Sequence, residues 1–576
     1  VIPEKYTRSL AALDENGWRK IGMDSLIKGM DRHKGWLIFL WVVAILAHAF
    51  DIFNFTLSID DELHAQESGA KLAWAQQSRW GMYLLNQLVL PDTVFPVVPM
   101  LVAVTFIALA AHFLVALLTS QRSGGDYAAA ALFIACPTLY FVLSFETLGY
   151  GVGIGWFCTT LAMYLFFCET GWKRLWAFPL LALSFGVYQS FMLAVVVIFE
   201  LYLLAEILGL RYKGLRRDDI TLRSFWWRVL RFGVLLGGSV LLYGLINKGY
   251  FWYFKFPVNE YLTGFIDVEW NVAYFNRAWQ GIMDAFSGYY FGERAFYVTD
   301  IPELRWLFWA SLVVTVLLVL LAPVAWTVKV MGLLVLTAML FTPFLMNLMN
   351  GGFMPGRALL GIPLVIAGMA LLASKTPFRL LRMVLVGLMI IVAFRFVVTN
   401  NRLAFSEYMT RVSDRELITQ IMLRAGDVVT KFPDYADRRQ PWPTILVGYH
   451  RFYESPTMFT RNSIGSSFFI WGGDIRRIVS VMRMMGYNDY RAATPPEHQK
   501  VMEYALQMPV WPAKGSVDVH DGVLIIKMEH YISHQLESGC AKTESNRVCK
   551  AFYECKRNKT MQYCERAMLT NEGDKK

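Results

Sequence analysis

Residues 93–118 read TVFPVVPMLVAVTFIALAAHFLVALL. No Asp, Glu, Lys or Arg interrupts the stretch, and its length exceeds the about 20 residues that a helix needs to cross the hydrocarbon core of a bilayer. His112 is its single ionisable side chain. Working outward, comparable apolar stretches occupy 35–56, 127–144, 151–168, 174–188, 190–209, 231–249, 305–323, 330–346, 357–374 and 382–399, so the chain reads as about eleven spans. The fifth and sixth are short and meet at a tight turn near Gln189 and Ser190. The composition agrees: of 576 residues 56% are hydrophobic, 15% aromatic and 17% charged, against about 25% charged in a soluble domain. A disordered chain and an ordinary cytosolic enzyme are both excluded.

The net charge of +10 and a pI near 9.1 raise the question of a nucleic-acid partner. The basic residues answer it by their position, because they fall between the apolar spans. One block is Lys5, Arg8, Arg19, Lys20, Lys28, Arg32 and Lys34; another is Arg211, Lys213, Arg216, Arg217, Arg223, Arg228 and Arg231. No basic groove interleaved with aromatics accompanies them, so the charge marks membrane topology and no nucleic acid is expected. With residues 1–34 in the cytosol, about 21 Lys and Arg lie on the cytosolic side and about 8 in the loops opposite. An odd number of spans then puts residues 400–576 outside, beyond a membrane domain of residues 35–399.

That tail, about 175 residues long, is polar enough to form a domain. Helical periodicity runs over 403–431, strands are expected at 444–448, 516–520 and 523–527, and a helix at 474–486. Asp521-Gly522 is a hairpin turn signal. The expected fold is therefore a polytopic α-helical membrane protein with a C-terminal soluble α+β domain. Cys136, Cys158 and Cys168 lie in or beside apolar spans, whereas Cys540, Cys549, Cys555 and Cys564 cluster in the tail. An even set in an oxidising compartment predicts two disulfides among those four, with three pairings open; a zinc site is the rival reading.

Candidate chemistry gathers on the outer side, in the loops 57–92 and 250–304 and the turn 347–357. Asp60, Asp61 and Glu62 follow the first span directly. Neighbouring carboxylates raise one another's pKa, so one of Asp60 and Asp61 can serve as a general base, or the pair can hold a divalent cation, Mg or Mn. Arg79, beside Trp80, and Arg357, in Met354-Pro-Gly-Arg357, present forked donors that suit a phosphate. His48, Asp51, His112, Glu146, Gln189, Asn347 and Asn350 are polar groups in or near spans, where ionisable side chains are costly and mark function. Gly149-Tyr-Gly-Val-Gly-Ile-Gly155 lacks the strand a dinucleotide loop requires and reads as close helix packing. The aromatic-rich stretch 251–256 and its continuation read as lateral helices at the membrane interface. No Walker A, HExxH or GxSxG motif occurs.

Ile59-Asp-Asp-Glu-Leu-His64 with Trp74 and Ser78-Arg-Trp-Gly81, then Gly186-Val-Tyr-Gln-Ser190, Asn400-Asn-Arg402, and Met508-Pro-Val-Trp-Pro-Ala-Lys-Gly-Ser516 running into Asp521-Gly-Val-Leu-Ile-Ile-Lys527, form an ordered series over most of the chain. It resembles the GT-C membrane glycosyltransferases, and more closely the bacterial and phage O-antigen glucosyltransferases of the Gtr type II serotype-conversion family. The chain has His64 where that family usually has Arg, and Ser78 before Arg79 in place of Gly; the acid pair is intact. The resemblance implies transfer of a hexose, glucose above all, from a polyprenyl-phosphate sugar (undecaprenyl phosphate being the bacterial carrier) to a lipid-linked O-antigen or other surface glycan. It implies an inner-membrane enzyme with its active site and C-terminal domain in the periplasm, modifying lipopolysaccharide and dependent on a donor synthase and a flippase. Asp60 or Asp61 would be the base; Glu62, His64, Arg79, Trp80, Glu146, Tyr188, Gln189, Asn347, Asn350 and Arg357 would bind substrate or phosphate. Rival readings are a flippase or transporter of lipid-linked sugars, against which stands the absence of an internal repeat, and a transferase that acts on a protein acceptor or with another sugar.

Overall fold

The computed structural model describes residues 34–66, 70–89, 96–120, 122–211, 221–256, 271–432, 440–452, 455, 458, 466–470 and 474–529. Residues 1–33 of the cytosolic segment expected at 1–34, part of the basic block (212–220) and the four cysteines expected to pair, Cys540, Cys549, Cys555 and Cys564, lie outside the described residues.

Among the described residues seven helices are long and apolar enough to cross a membrane: Val98–Leu118, Gly124–Leu143, Gly149–Cys168, Leu222–Phe254, Pro302–Leu321, Trp326–Asn350 and Arg379–Val429. Over their described residues the eleven apolar stretches fall mainly on helix, but those at 35–56, 174–188, 190–209 and 357–374 fall on shorter pieces. Two polar breaks explain part of this. His48 interrupts the first stretch between Lys34–Ala47 and Ala49–Phe53, and extended Tyr188 (φ −153°) separates Ala177–Val187 from Phe191–Ile207. Phe191–Ile207 is packed on nearly all sides, so its ends are closed by protein instead of lipid.

Local chemistry sets the helix ends. Ser123 and Asp126 form a capping box at the start of Gly124–Ala135, Pro137 opens the next helix, and Asn271 caps Val272–Tyr290. The glycine run packs helices closely, as expected: a Cβ on Gly153 would stand 2.6 Å from the Ala103 carbonyl oxygen of helix Val98–Leu118. The aromatic stretch after residue 250 departs from expectation. Residues 251–254 prolong the spanning helix, and Val272–Tyr290 is one 19-residue amphipathic helix that buries Tyr274, Tyr289 and Tyr290.

The helix Arg379–Val429 is continuous across residue 400, where the sequence suggests a boundary. At 1.5 Å per residue its 51 residues reach about 77 Å, and its C-terminal half carries the tail. There four strands, β1 (Trp442–Val447), β2 (Tyr490–Ala492), β3 (Val517–His520) and β4 (Val523–Lys527), form a sheet in the order β2-β1-β4-β3. β1 runs parallel to both neighbours, with Ile445 opposite Ile525, and β3-β4 is an antiparallel hairpin turning at Asp521 (φ 46°) and Gly522 (φ 72°). Strand alternation splits the core in two. Leu446, Leu524 and Ile526 pack with Leu417 to Val429 and helix Ile475–Met484; Ile445, Val523 and Ile525 pack with helix Pro495–Gln507.

Contacts between chain segments sort the loops onto two ends of the membrane body. At one end Asp61 bonds to Glu146 and Thr147, Gln189 donates to the Gln77 carbonyl, Tyr243 donates to the Ser78 carbonyl, and the tail touches loop 57–66. At the other end Ser120 N–H donates to the Leu210 carbonyl and Lys375 pairs with Asp126.

Candidate active site

Asp61 opens the short helix Asp61–Gln66, and Ile59 just before it sits in the core of the tail domain. The Asp61 side chain is fully buried. Its Oδ2 accepts from the N–H groups of Ser58 (3.0 Å) and Glu146 (3.1 Å), and its Oδ1 from Thr147 N–H (3.1 Å) and Thr147 Oγ1–H (2.8 Å). Four donors thus fix one carboxylate and tie the first loop to the turn between two spanning helices. Burial pushes the Asp61 carboxyl up to about 6 against the pull of those donors.

Asp60 differs in every respect. Its backbone has a positive φ of 86°, uncommon for a residue with a side chain, and 46% of the side chain is exposed. Oδ1 accepts from Arg477 Nη2 at 2.7 Å, while Oδ2 accepts no hydrogen bond from the described residues. Arg477 also donates through Nη1 to Glu62, whose side chain is buried. Burial raises the Glu62 carboxyl to about 7 although Arg477 pulls it down. Burial pulls the Arg477 guanidinium down, yet Glu62 and Asp60 together hold it above its ordinary value. Arg477 lies on helix Ile475–Met484 of the tail, so a residue 415 positions from Glu62 grips the acidic loop.

Behind these groups lies a buried polar cluster. Asp51, Glu146 and Glu407 are all buried; desolvation first, then the charges of Asp51, Asp61 and Glu407, drive the Glu146 carboxyl well above its usual range. Arg411 stands at the edge, donating to the Leu57 carbonyl (2.7 Å) and to Asp414 (2.8 Å), with its guanidinium 3.9 Å from the Phe468 ring.

His64 leads from the acids to a second group. Its ring stacks on Trp74 at 5.2 Å, and the Arg79 guanidinium lies 5.3 Å from Trp74 and 4.9 Å from Tyr188. Gln189 binds the Gln77 carbonyl from the same turn (3.0 Å). Trp80 points away, buried against Gly186, where a Cβ would stand 2.5 Å from its ring; this residue packs helices. Arg357 forms a third group, 5.3 Å from the Phe145 ring beside Glu146. Asn347 donates to the Gly281 carbonyl and Asn350 to the Phe353 carbonyl. His112 is satisfied by Trp36 and Arg122.

The described residues do not make a divalent-cation site. Both oxygens of Asp61 carry hydrogen bonds, Arg477 holds one oxygen each of Asp60 and Glu62, and among the described residues no three His, Cys, Asp or Glu side chains converge for a metal.

Against this geometry, the family model of glucosyl transferase GtrII matches residues 49–374, more than half of the chain. The chain belongs to the GtrII glucosyltransferase family. Comparison with curated proteins and with solved structures gave no match. Glycosyl transfer follows at the level of the GtrII family, and so does the general need for a sugar donor and an acceptor. The GtrII match takes in Asp60, Asp61, Glu62, Glu146, Arg79 and Arg357; Arg477, Glu407 and Arg411 lie beyond it. Sequence reasoning missed Arg477 and Thr147. The one available signal for Arg477 was its place in the first turn of an amphipathic tail helix.

Proposed function

We propose that the chain transfers glucose from a polyprenyl-phosphate donor to a surface glycan such as lipid-linked O-antigen, with Asp60 as the general base. The acceptor hydroxyl attacks the anomeric carbon in line, its proton passes to Asp60 Oδ2, and the bond from that carbon to the phosphate oxygen breaks, inverting the configuration. Arg79 and Arg357 neutralise the departing polyprenyl phosphate, the electrostatic contribution that dominates such transfers. One observation carries this reading: of two adjacent acids, Asp61 is saturated by four donors and Asp60 is exposed with one oxygen open. Asp61 then holds the loop that presents Asp60.

The orientation belongs to the same proposal. The acidic end faces the periplasm, and the end with Lys375, Arg211 and Arg231 faces the cytosol, in keeping with the positive-inside rule. Residues 1–34 are then cytosolic, 35–399 form a GT-C-like body of about eleven spans in the inner membrane, and 400–576 make a periplasmic domain that contributes Arg477. A donor made in the cytosol must be flipped outward, because a charged nucleotide sugar does not cross the bilayer; a donor synthase and a flippase are implied. Mass analysis of the surface glycan with and without the gene tests the reading. A gain of one hexose per repeat is expected; an unchanged glycan contradicts the acceptor class.

A further inference from the structure

The end of the membrane body opposite the acids carries a charged cluster that glycosyl transfer does not use. Helix Gly149–Cys168 ends there, and side chains from three other segments converge on its last turn. Arg174, in the turn Gly171–Trp176, donates from Nε to the Glu169 carbonyl at 2.6 Å; Arg211 donates to Cys168 Sγ at 2.9 Å; Arg231 donates to the Phe166 carbonyl at 3.3 Å, its guanidinium 5.4 Å from the Phe166 ring. Arg228, one turn before Arg231, is paired with Glu206, which also accepts from Tyr202 (2.6 Å) and Arg211 (3.3 Å). Lys173 pairs with Glu169 at 3.2 Å.

Among the described residues the charges do not balance. Lys173, Arg174, Arg211, Arg228 and Arg231 face Glu169 and Glu206, and Arg231 lies within electrostatic reach of both Arg174 and Arg228. A helix C-terminus attracts cations, but with only about half an elementary charge. That accounts for one of the arginines and leaves a local positive excess.

The surroundings point to what balances it. Trp172, Trp176, Trp226 and Trp227 are exposed around the cluster, the arrangement of aromatic side chains at the headgroup level of a bilayer. Helix Leu222–Phe254 leaves most of its apolar surface uncovered, 17% of its spanning window being buried by protein. Deeper along the same seam it closes tightly on helix Ala177–Val187: a Cβ on Gly238 would stand 2.6 Å from the Phe178 ring. The arginines therefore sit at the mouth of a seam whose outer wall is lipid-facing.

We propose that Arg174 and Arg231 bind the phosphate of an anionic phospholipid whose acyl chains lie along helix Leu222–Phe254. Glu206 holds Arg228 and Arg211 in place, so the field they add is fixed, while among the described residues the guanidiniums of Arg174 and Arg231 hydrogen-bond to backbone carbonyls alone. Forked donors fit phosphate oxygens, and the tryptophans seat the glycerol level. The site stands independently of the transfer reaction.

The test uses the full chain in neutral detergent, with the melting midpoint read against added short-chain phosphatidylglycerol, phosphatidylcholine of the same chain length, and inorganic phosphate. The wild type is expected to gain stability with phosphatidylglycerol alone. In the Arg174→Gln/Arg231→Gln double variant the half-saturating concentration should rise by about tenfold or more. An equal response to phosphatidylcholine, an equal response to phosphate alone, or an undiminished response in the variant would each overturn the proposal. Native mass measurement of the wild type from its own membrane decides even if the variant fails to fold: a retained anionic lipid is expected, and retention of zwitterionic lipid in equal amount contradicts the site.

Discussion

Asp61 and Asp126 are both fully buried acids in the first turn of a helix, at opposite ends of the membrane body, and their partners differ. Asp126 accepts from Ser123 N–H (2.6 Å) and Thr119 Oγ1–H (2.9 Å) and pairs with Lys375 at 2.6 Å. Its charge is matched within one hydrogen bond, as in a structural ion pair. Among the described residues Asp61 takes four hydrogen bonds and no ion pair, and it stands with Asp51, Asp60, Glu62, Glu146 and Glu407, of which Glu407 pairs with Arg411, and Asp60 and Glu62 with Arg477. Uncompensated buried charge costs stability, so a fold keeps it where chemistry needs it. On the proposed reading, the acidic end serves the reaction and the basic end serves anchorage.

Four substitutions can break that comparison, in order of expected effect on transfer. Asp60→Asn keeps the shape and removes the base, so turnover should fall by about two orders of magnitude or more. Arg477→Gln frees the loop from the tail and strands Glu62 in its buried position; turnover should fall by about tenfold, with a loss of about 3 kcal/mol in stability, measured by rate and by thermal unfolding of the same preparation. Arg357→Lys keeps the charge but not the fork, and a severalfold fall in kcat with little change in acceptor KM is expected. Lys375→Gln at the basic end should cost about 3 kcal/mol by leaving Asp126 unpaired, yet the rate per folded molecule should not change. A catalytic defect there would erase the distinction between the ends.

The acidic end also predicts a pH dependence of stability. The Asp61 and Glu62 carboxyls are raised to about 6 and about 7, so between about pH 4 and about pH 7 the folded chain retains protons that the unfolded chain has released, and stability falls as pH rises through that window. In Glu62→Gln the fall in melting midpoint between about pH 5 and about pH 8 should be smaller than in the wild type. An unchanged slope would show that Glu62 does not titrate as its burial demands.

Much of this organisation is legible in the sequence, and the rest is hidden for definite reasons. Apolar stretches and the basic residues between them give the helices and the two ends, because span length and charge distribution are local properties. Asp521-Gly522 gives the hairpin through its turn chemistry. The division of labour between Asp60 and Asp61 is not legible: both are acids after a span, and what separates them is Thr147 and the Ser58 N–H, contributed by folding. The pairing of Arg477 with Asp60 is hidden for the same reason, the two sitting 417 positions apart. Packing contacts are equally hidden: Trp80 packs on Gly186 and Asn347 donates to the Gly281 carbonyl. Strand β2 went unread because it is three residues long, too short for alternation to show.

The most direct measurement of the central claim is the rate of glucosyl transfer from a synthetic polyprenyl-phosphate glucose to a lipid-linked glycan in vesicles, comparing wild type with Asp60→Asn at equal folded protein. The account predicts an about hundredfold or greater fall with an unchanged melting midpoint. Near wild-type turnover in Asp60→Asn would contradict it.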